Sequence, residues 1–195
     1  MRRISLALAA ILFATPAFAH TGVGATSGLA HGALHPIGGL DHVLAMVAVG
    51  LFAWRLGGRA LWLVPLAFVA MMAVGGALGV FGVPVPYVET GIALSVVVIG
   101  AMVALGGGLP LGVAAAVVGI FAVFHGHAHG SEMPETLSGA AYGLGFMAAT
   151  AFLHGVGILA GAGVTTVAKQ PGAAMVRAGG AATSVAGLAL LGGVL

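Results

Sequence analysis

From Pro36 to Leu195 the sequence is a succession of apolar runs, each about 20 residues long and separated by a few glycines, prolines or charged residues. In helical form such a run crosses the roughly 30 Å hydrocarbon core of a bilayer. The core offers no water to backbone amides, so each run must satisfy its own hydrogen bonds, which a helix does. Charged residues make up 5% of the 195 residues, against roughly 25% in soluble domains, too few to cover a water-facing surface. The expected fold is all-α: a polytopic membrane protein, a bundle of six transmembrane helices. The spans fall at about 36–56, 60–81, 87–105, 109–130, 135–167 and 171–195. Links this short predict that consecutive helices are antiparallel neighbours, and the fifth span is long enough to tilt or break.

Residues 1–19 read as a cleavable signal peptide. Arg2 and Arg3 form a positive start, Ser5 to Thr15 a short apolar core, and Ala17-Phe18-Ala19 a small-residue cleavage site. Cleavage would leave residues 20–35 as a polar, Gly-rich, flexible periplasmic segment ahead of the transmembrane domain, 36–195. The basic residues give an independent orientation. With the mature N-terminus outside, Arg55, Arg59, Lys169 and Arg177 all fall at cytoplasmic ends, as the positive-inside rule requires. The expected location is the inner membrane of a bacterium, and the expected surroundings are lipid.

The net charge of +2 gives no basis for nucleic-acid binding, and the absence of cysteine excludes a disulfide framework, a thiolate metal site or a cysteine nucleophile. The 35 glycines, in stretches such as Gly75 to Gly79, Gly139-x-x-x-Gly143 and Gly155 to Gly163, read as close helix packing. The eight methionines read as core filler.

The polar residues are not spread evenly. Asp41, Glu89, Glu132 and Glu135 all fall at or near the outer ends of spans, as do His35, His42, His125, His127 and His129, while His154 lies deeper in the fifth span. Ionisable groups in hydrocarbon cost about 2.5–3.5 kcal/mol each on an insertion scale, so several at one depth need a common cause. In His35-Pro36-Ile37-Gly38-Gly39-Leu40-Asp41-His42, proline suits a first helical turn, and His35 and His42, seven apart, would share one face. Asp41 would serve as a ligand or as the acceptor that fixes a histidine tautomer. In Phe124-His125-Gly126-His127-Ala128-His129-Gly130-Ser131-Glu132, the residues His125, His129 and Glu132 form one helical stripe, and His127 falls roughly opposite it, where its expected role is that of a mouth residue. Imidazole and carboxylate together bind divalent first-row metals. Residue type does not choose among nickel, cobalt, zinc and copper(II).

These two motifs resemble the paired signatures of the HupE/UreJ family, nickel permeases associated with hydrogenase and urease maturation. The resemblance extends over nearly the whole chain, including Glu89 at the head of the third span and Phe152-Leu153-His154-Gly155 in the fifth. It implies a metal set of His35, Asp41, His42, His125, His129 and Glu132, with Glu89 matching less specifically. It also implies that Ni2+ is the cargo, with Co2+ or Zn2+ as alternatives, that no cofactor is permanently bound, and that the link to hydrogenase or urease is indirect.

On this reading a hydrated cation, gathered by His20 and His31, exchanges part of its water for the outer ligands, with His154 next along the path. The same residues would also suit an intramembrane zinc hydrolase, in which the metal activates water. That alternative needs an open coordination position beside a substrate cleft, whereas a permease needs a path to the far side. Bis-histidine haem fits poorly, since carboxylates are out of place beside it and no c-type attachment motif is present.

Overall fold

The computed structural model describes residues 28–106, 108–133, 139–169 and 171–195. The expected signal peptide, His20 and Glu135 lie outside the described residues. Within them the chain forms seven helices and no strand: α1 (Gly28–Gly38), α2 (Leu40–Leu56), α3 (Ala60–Val80), α4 (Val88–Leu105), α5 (Leu111–Ser131), α6 (Gly139–Ala168) and α7 (Gly172–Leu191). Five of them, α3 to α7, are each long and apolar enough to cross a bilayer. Helices α1 and α2 together make a sixth span, bent by 84° at the break between them. The protein is an all-helical, multi-pass membrane protein. Large apolar side chains such as Trp62, Leu66, Ile120, Phe152, Leu159 and Val185 are exposed on the bundle's outside, where only lipid makes them tolerable.

The first span departs from expectation. Pro36 does not open a helix; it lies inside α1, and the helix ends two residues later at Gly38. Proline lacks the N–H that would bond the carbonyl four residues back, so a helix carrying it late is already weakened, and Gly38-Gly39 completes the break. Gly39 is extended, at φ −99° and ψ 123°, and α2 restarts at Leu40. Nor is the segment before Pro36 all flexible, since it is helical from Gly28 onward. It is held because α1 packs on α6 at backbone distance: a Cβ on Gly32 would strike the Tyr142 carbonyl, and one on Gly145 would strike the Leu29 carbonyl.

The expectation that consecutive helices are neighbours holds for α2–α3, α4–α5 and α6–α7 but not throughout. The most extensive packing joins α3 to α5, α4 to α7, and α6 to both α1 and α2, while α3 does not pack on α4, nor α5 on α6. Lipid tails are as apolar as leucine, so burial alone does not select partners; close backbone approach does. Gly75 and Gly79 on α3 face Gly126 and Gly130 on α5. A Cβ on Gly75 would strike the Val123 carbonyl, and one on Gly126 or Gly130 would strike the backbone of Met72 or Gly76. Two small-xxx-small faces thus interlock between helices that run the same way. By contrast Gly143 and Gly155 have open space around them; on α6 the close approaches are made by Gly145, and by Gly157 against α2. Ser184 Oγ donates to the Val97 carbonyl at 2.9 Å and ties α7 to α4.

The core beneath the polar end contains Met46, Phe52, Phe68, Ile99, Val103 and Phe146. At the opposite end, Arg177 Nε donates to the Ala104 carbonyl at 2.8 Å and Arg55 reaches the Gly106 carbonyl at 3.5 Å. Both cations therefore sit at the C-terminus of α4, where unpaired carbonyls and the helix dipole favour positive charge. Basic and histidine-rich ends lie at opposite poles of the bundle.

Candidate metal site

Four helix ends meet at the polar pole, and their sequences explain what they carry. Asp41 and His42 occupy the first turn of α2, and His125 to His129 the last two turns of α5. His35 arrives on α1 only because the chain bends at Gly39. It does not share a helix face with His42; the 84° break folds α1 back so that the two motifs converge. Gly39 is required there for space as well, since a Cβ would come within 2.8 Å of Asp41 Oδ1 and 2.9 Å of His42 Nδ1.

The imidazoles form a continuous series. Ring centroids lie 4.5 Å apart for His35 and His129, 4.6 Å for His129 and His42, and 4.9 Å for His42 and His125. His31 begins the series, 6.3 Å from His35. His42, His125 and His129 are buried, His125 completely. Tyr142 and Phe146 wall the mouth side, with Phe146 4.3 Å from His129.

Hydrogen bonds fix which nitrogens face inward. Asp41 Oδ1 accepts from His42 Nδ1 at 2.7 Å and from the His42 amide at 2.9 Å. An ionised carboxylate only accepts, so the ring proton sits on Nδ1 and the lone pair on Nε2. That Nε2 lies 2.5 Å from His129 Nε2, a separation that holds one shared proton. Asp41 thus orients the His42 ring instead of facing the other imidazoles itself, the arrangement common around metal-binding histidines. Ser95 does the same for His125. Its hydroxyl donates to the Ile92 carbonyl at 2.6 Å, so it accepts from His125 Nε2 at 2.8 Å. The His125 lone pair is left on Nδ1, which is buried without a protein partner.

The remaining candidates divide. His127 turns away from the series, as its helical angle predicts, and donates from Nε2 to the Val83 carbonyl at 2.8 Å, tying α5 to the loop before α4. Glu89, in the first turn of α4, and Glu132, capping α5, are both exposed. His154 is buried in mid-helix with neither nitrogen bonded. Among the described residues no three His, Asp or Glu side chains already form a metal cage; the rings pack edge-on, and binding a cation requires them to part slightly. Ser95, Tyr142 and Phe146 escaped the sequence reading. A lone serine in an apolar span was a signal for the first; nothing marked the two aromatics.

Comparison with known proteins places the sequence. The family model described as "HupE / UreJ protein" matches residues 8–190. A protein from Rhizobium leguminosarum bv. viciae, "Protein HupE", is 49% identical over 192 residues, 98% of each chain. No solved structure matches. With nearly its whole length matched by the family model and by this relative, the chain belongs to the HupE/UreJ family.

Proposed function

We propose that this protein is a permease that carries a divalent transition metal, Ni2+ foremost, across the bacterial inner membrane into the cytoplasm, where it supplies hydrogenase or urease maturation. The observation that carries the proposal is the series His35, His129, His42 and His125, its last three rings buried, at one pole of a bundle whose opposite pole is basic. Membership of the HupE/UreJ family supports the client and the metal. The donor chemistry supports only a divalent first-row ion.

The exposed carboxylates Glu89 and Glu132 concentrate cations at the mouth. The ion, which is cargo and not a resident cofactor, exchanges water for His35, His42 and His129, and then for His125 Nδ1. Asp41 and Ser95 keep the lone pairs of His42 and His125 available, and His154 takes the ion deeper. With the mature N-terminus in the periplasm, the polar pole faces outward, and an inside-negative potential favours inward movement of a cation. An inward series of imidazoles suits a path better than the substrate cleft that hydrolysis needs.

The test is uptake of trace Ni2+, Co2+ and Zn2+ by cells producing the chain, with His129→Ala as control. Saturable Ni2+ uptake that the substitution abolishes is the expected result. Equal uptake by wild-type and His129→Ala cells at matched protein levels refutes the site.

A further inference from the structure

Between the outer histidines and His154 lies a single aromatic ring. Phe68 on α3 is completely buried, its centroid 5.6 Å from His125 and 5.1 Å from His154, edge-on to the latter at 81°. The polar atoms on either side of it are unusual. His125 Nδ1 above, and both nitrogens of His154 below, are buried without a protein hydrogen-bond partner. Buried polar groups are nearly always bonded, and leaving them unbonded is costly. Three such atoms flanking one phenyl ring are not explained by packing, which an apolar residue at position 154 would satisfy better. The ring meanwhile offers no donor to replace the water that a dication gives up.

We propose that Phe68 is a gate between two metal stations, the outer histidines and an inner one built on His154, and that an ion passes only when the ring swings aside. The inference rests on the reading of the outer histidines as the ion's first binding site. Two further polar side chains stand beside the ring. Thr150, one turn before His154 on α6, is fully buried and donates from Oγ1 to Met72 Sδ at 3.7 Å. Met72 in turn lies one turn beyond Phe68 on α3. Both stand one turn nearer the polar pole than the Phe68–His154 contact, so the hydroxyl and thioether lie on the ring's outer flank, between it and the outer histidines. Room to move is also present: Met72, a flexible side chain, lines a cavity of about 200 Å³ shared with His129, Phe146 and Met147. Displacement of Met72 into that cavity frees the space that the ring needs to turn.

The experiment pairs Ni2+ uptake by cells with equilibrium Ni2+ binding to the detergent-purified full chain. Phe68→Leu, smaller and more mobile, is expected to raise uptake about threefold, and Phe68→Trp to lower it about tenfold, each with binding within about twofold of wild type. A ring that merely packs predicts losses in both variants, so changes in the same direction, or wild-type uptake in Phe68→Trp, overturn the gate. His154→Leu, which removes the unbonded nitrogens without opening space, is expected to lower uptake about tenfold and to remove the inner station's share of the bound Ni2+, with outer-site affinity within about twofold of wild type; wild-type uptake in it overturns the inner station. The outer site is judged separately, by binding alone: His42→Ala that binds Ni2+ as wild type does would remove the first station and leave the gate result to stand on its own readout.

Discussion

Replacing Asp41 by alanine removes no metal ligand on the geometry described above, yet it should weaken metal binding measurably. The carboxylate holds the ring proton of His42 on Nδ1 through a 2.7 Å bond, and its side chain is only 27% exposed. Without it, a neutral His42 is free to carry the proton on Nε2, the nitrogen that faces His129, and is then blind to a cation. The ring also loses its rotational anchor. Loss of such a carboxylate partner typically costs 10–100-fold in metal affinity, or about 1.4–2.7 kcal/mol. Asp41→Asn keeps an oxygen acceptor of the same reach, so its loss should lie at or below the lower end, about tenfold. Titration calorimetry of the detergent-purified chain with Ni2+ measures both values. Uptake at metal concentrations below saturation should fall in proportion, while uptake at saturating metal should recover toward wild type. Two results refute the reasoning. Binding within about twofold of wild type in Asp41→Ala means that the carboxylate does not set the tautomer. Loss as complete as in His42→Ala means that Asp41 is itself a ligand.

Other variants probe the supporting structure. His127→Ala should leave Ni2+ affinity within about twofold, because its ring faces the Val83 carbonyl; the orphaned carbonyl should cost about 1–3 kcal/mol, read as a lower thermal midpoint. An affinity loss like that of His129→Ala would place His127 in the site after all. Gly126→Ala puts a methyl group against the Met72 carbonyl and the Gly76 amide, so α3 and α5 must part at a cost of about 1–3 kcal/mol or more. An unchanged melting midpoint would show that the interlock is looser than described. Ser95→Ala should weaken binding by less than Asp41→Ala, since a neutral hydroxyl fixes the His125 tautomer less firmly than a carboxylate fixes that of His42; equal or greater loss contradicts that ranking.

Much of this architecture was legible in the sequence because hydrocarbon imposes simple rules. Length and apolarity alone locate α3 to α7 to within a few residues, and the stripe of His125 and His129, with His127 turned away, follows from 100° per residue on an unbroken helix. The same arithmetic failed for His35 and His42. It assumed one helix through Pro36 and Gly39, and two adjacent breakers do not reveal the angle at which the chain resumes. Helix neighbours were illegible for a related reason. Short links bound how far apart consecutive helices lie, but the partner is chosen by which glycines interlock, and Gly75 and Gly126 carry no mark of each other. Glu132 shares the histidine stripe by angle but is exposed, because it stands past the last helical turn, where the stripe has already left the bundle. Ser95 and Phe68 act through neighbours distant in sequence, and only the assembled bundle brings those neighbours to them.

The break at Gly39 makes the entrance a lever. Helix α1 extends about 16 Å from it, and His35 sits about 6 Å along that arm, while Asp41 and His42 lie beyond the fulcrum on α2. A swing of about 10° at the break would carry His35 roughly 1 Å, several times the tolerance of about 0.2 Å in a metal–nitrogen bond, and leave His42 where it is. Because α1 lies at backbone contact with α6 through Gly32 and Gly145, such a swing must carry the start of α6 with it, which couples the position of His35 to that of Tyr142. Stiffening position 39 would remove that freedom, but any side chain there collides with the Asp41–His42 pair; the pivot and the ligand's support are built on the same glycine.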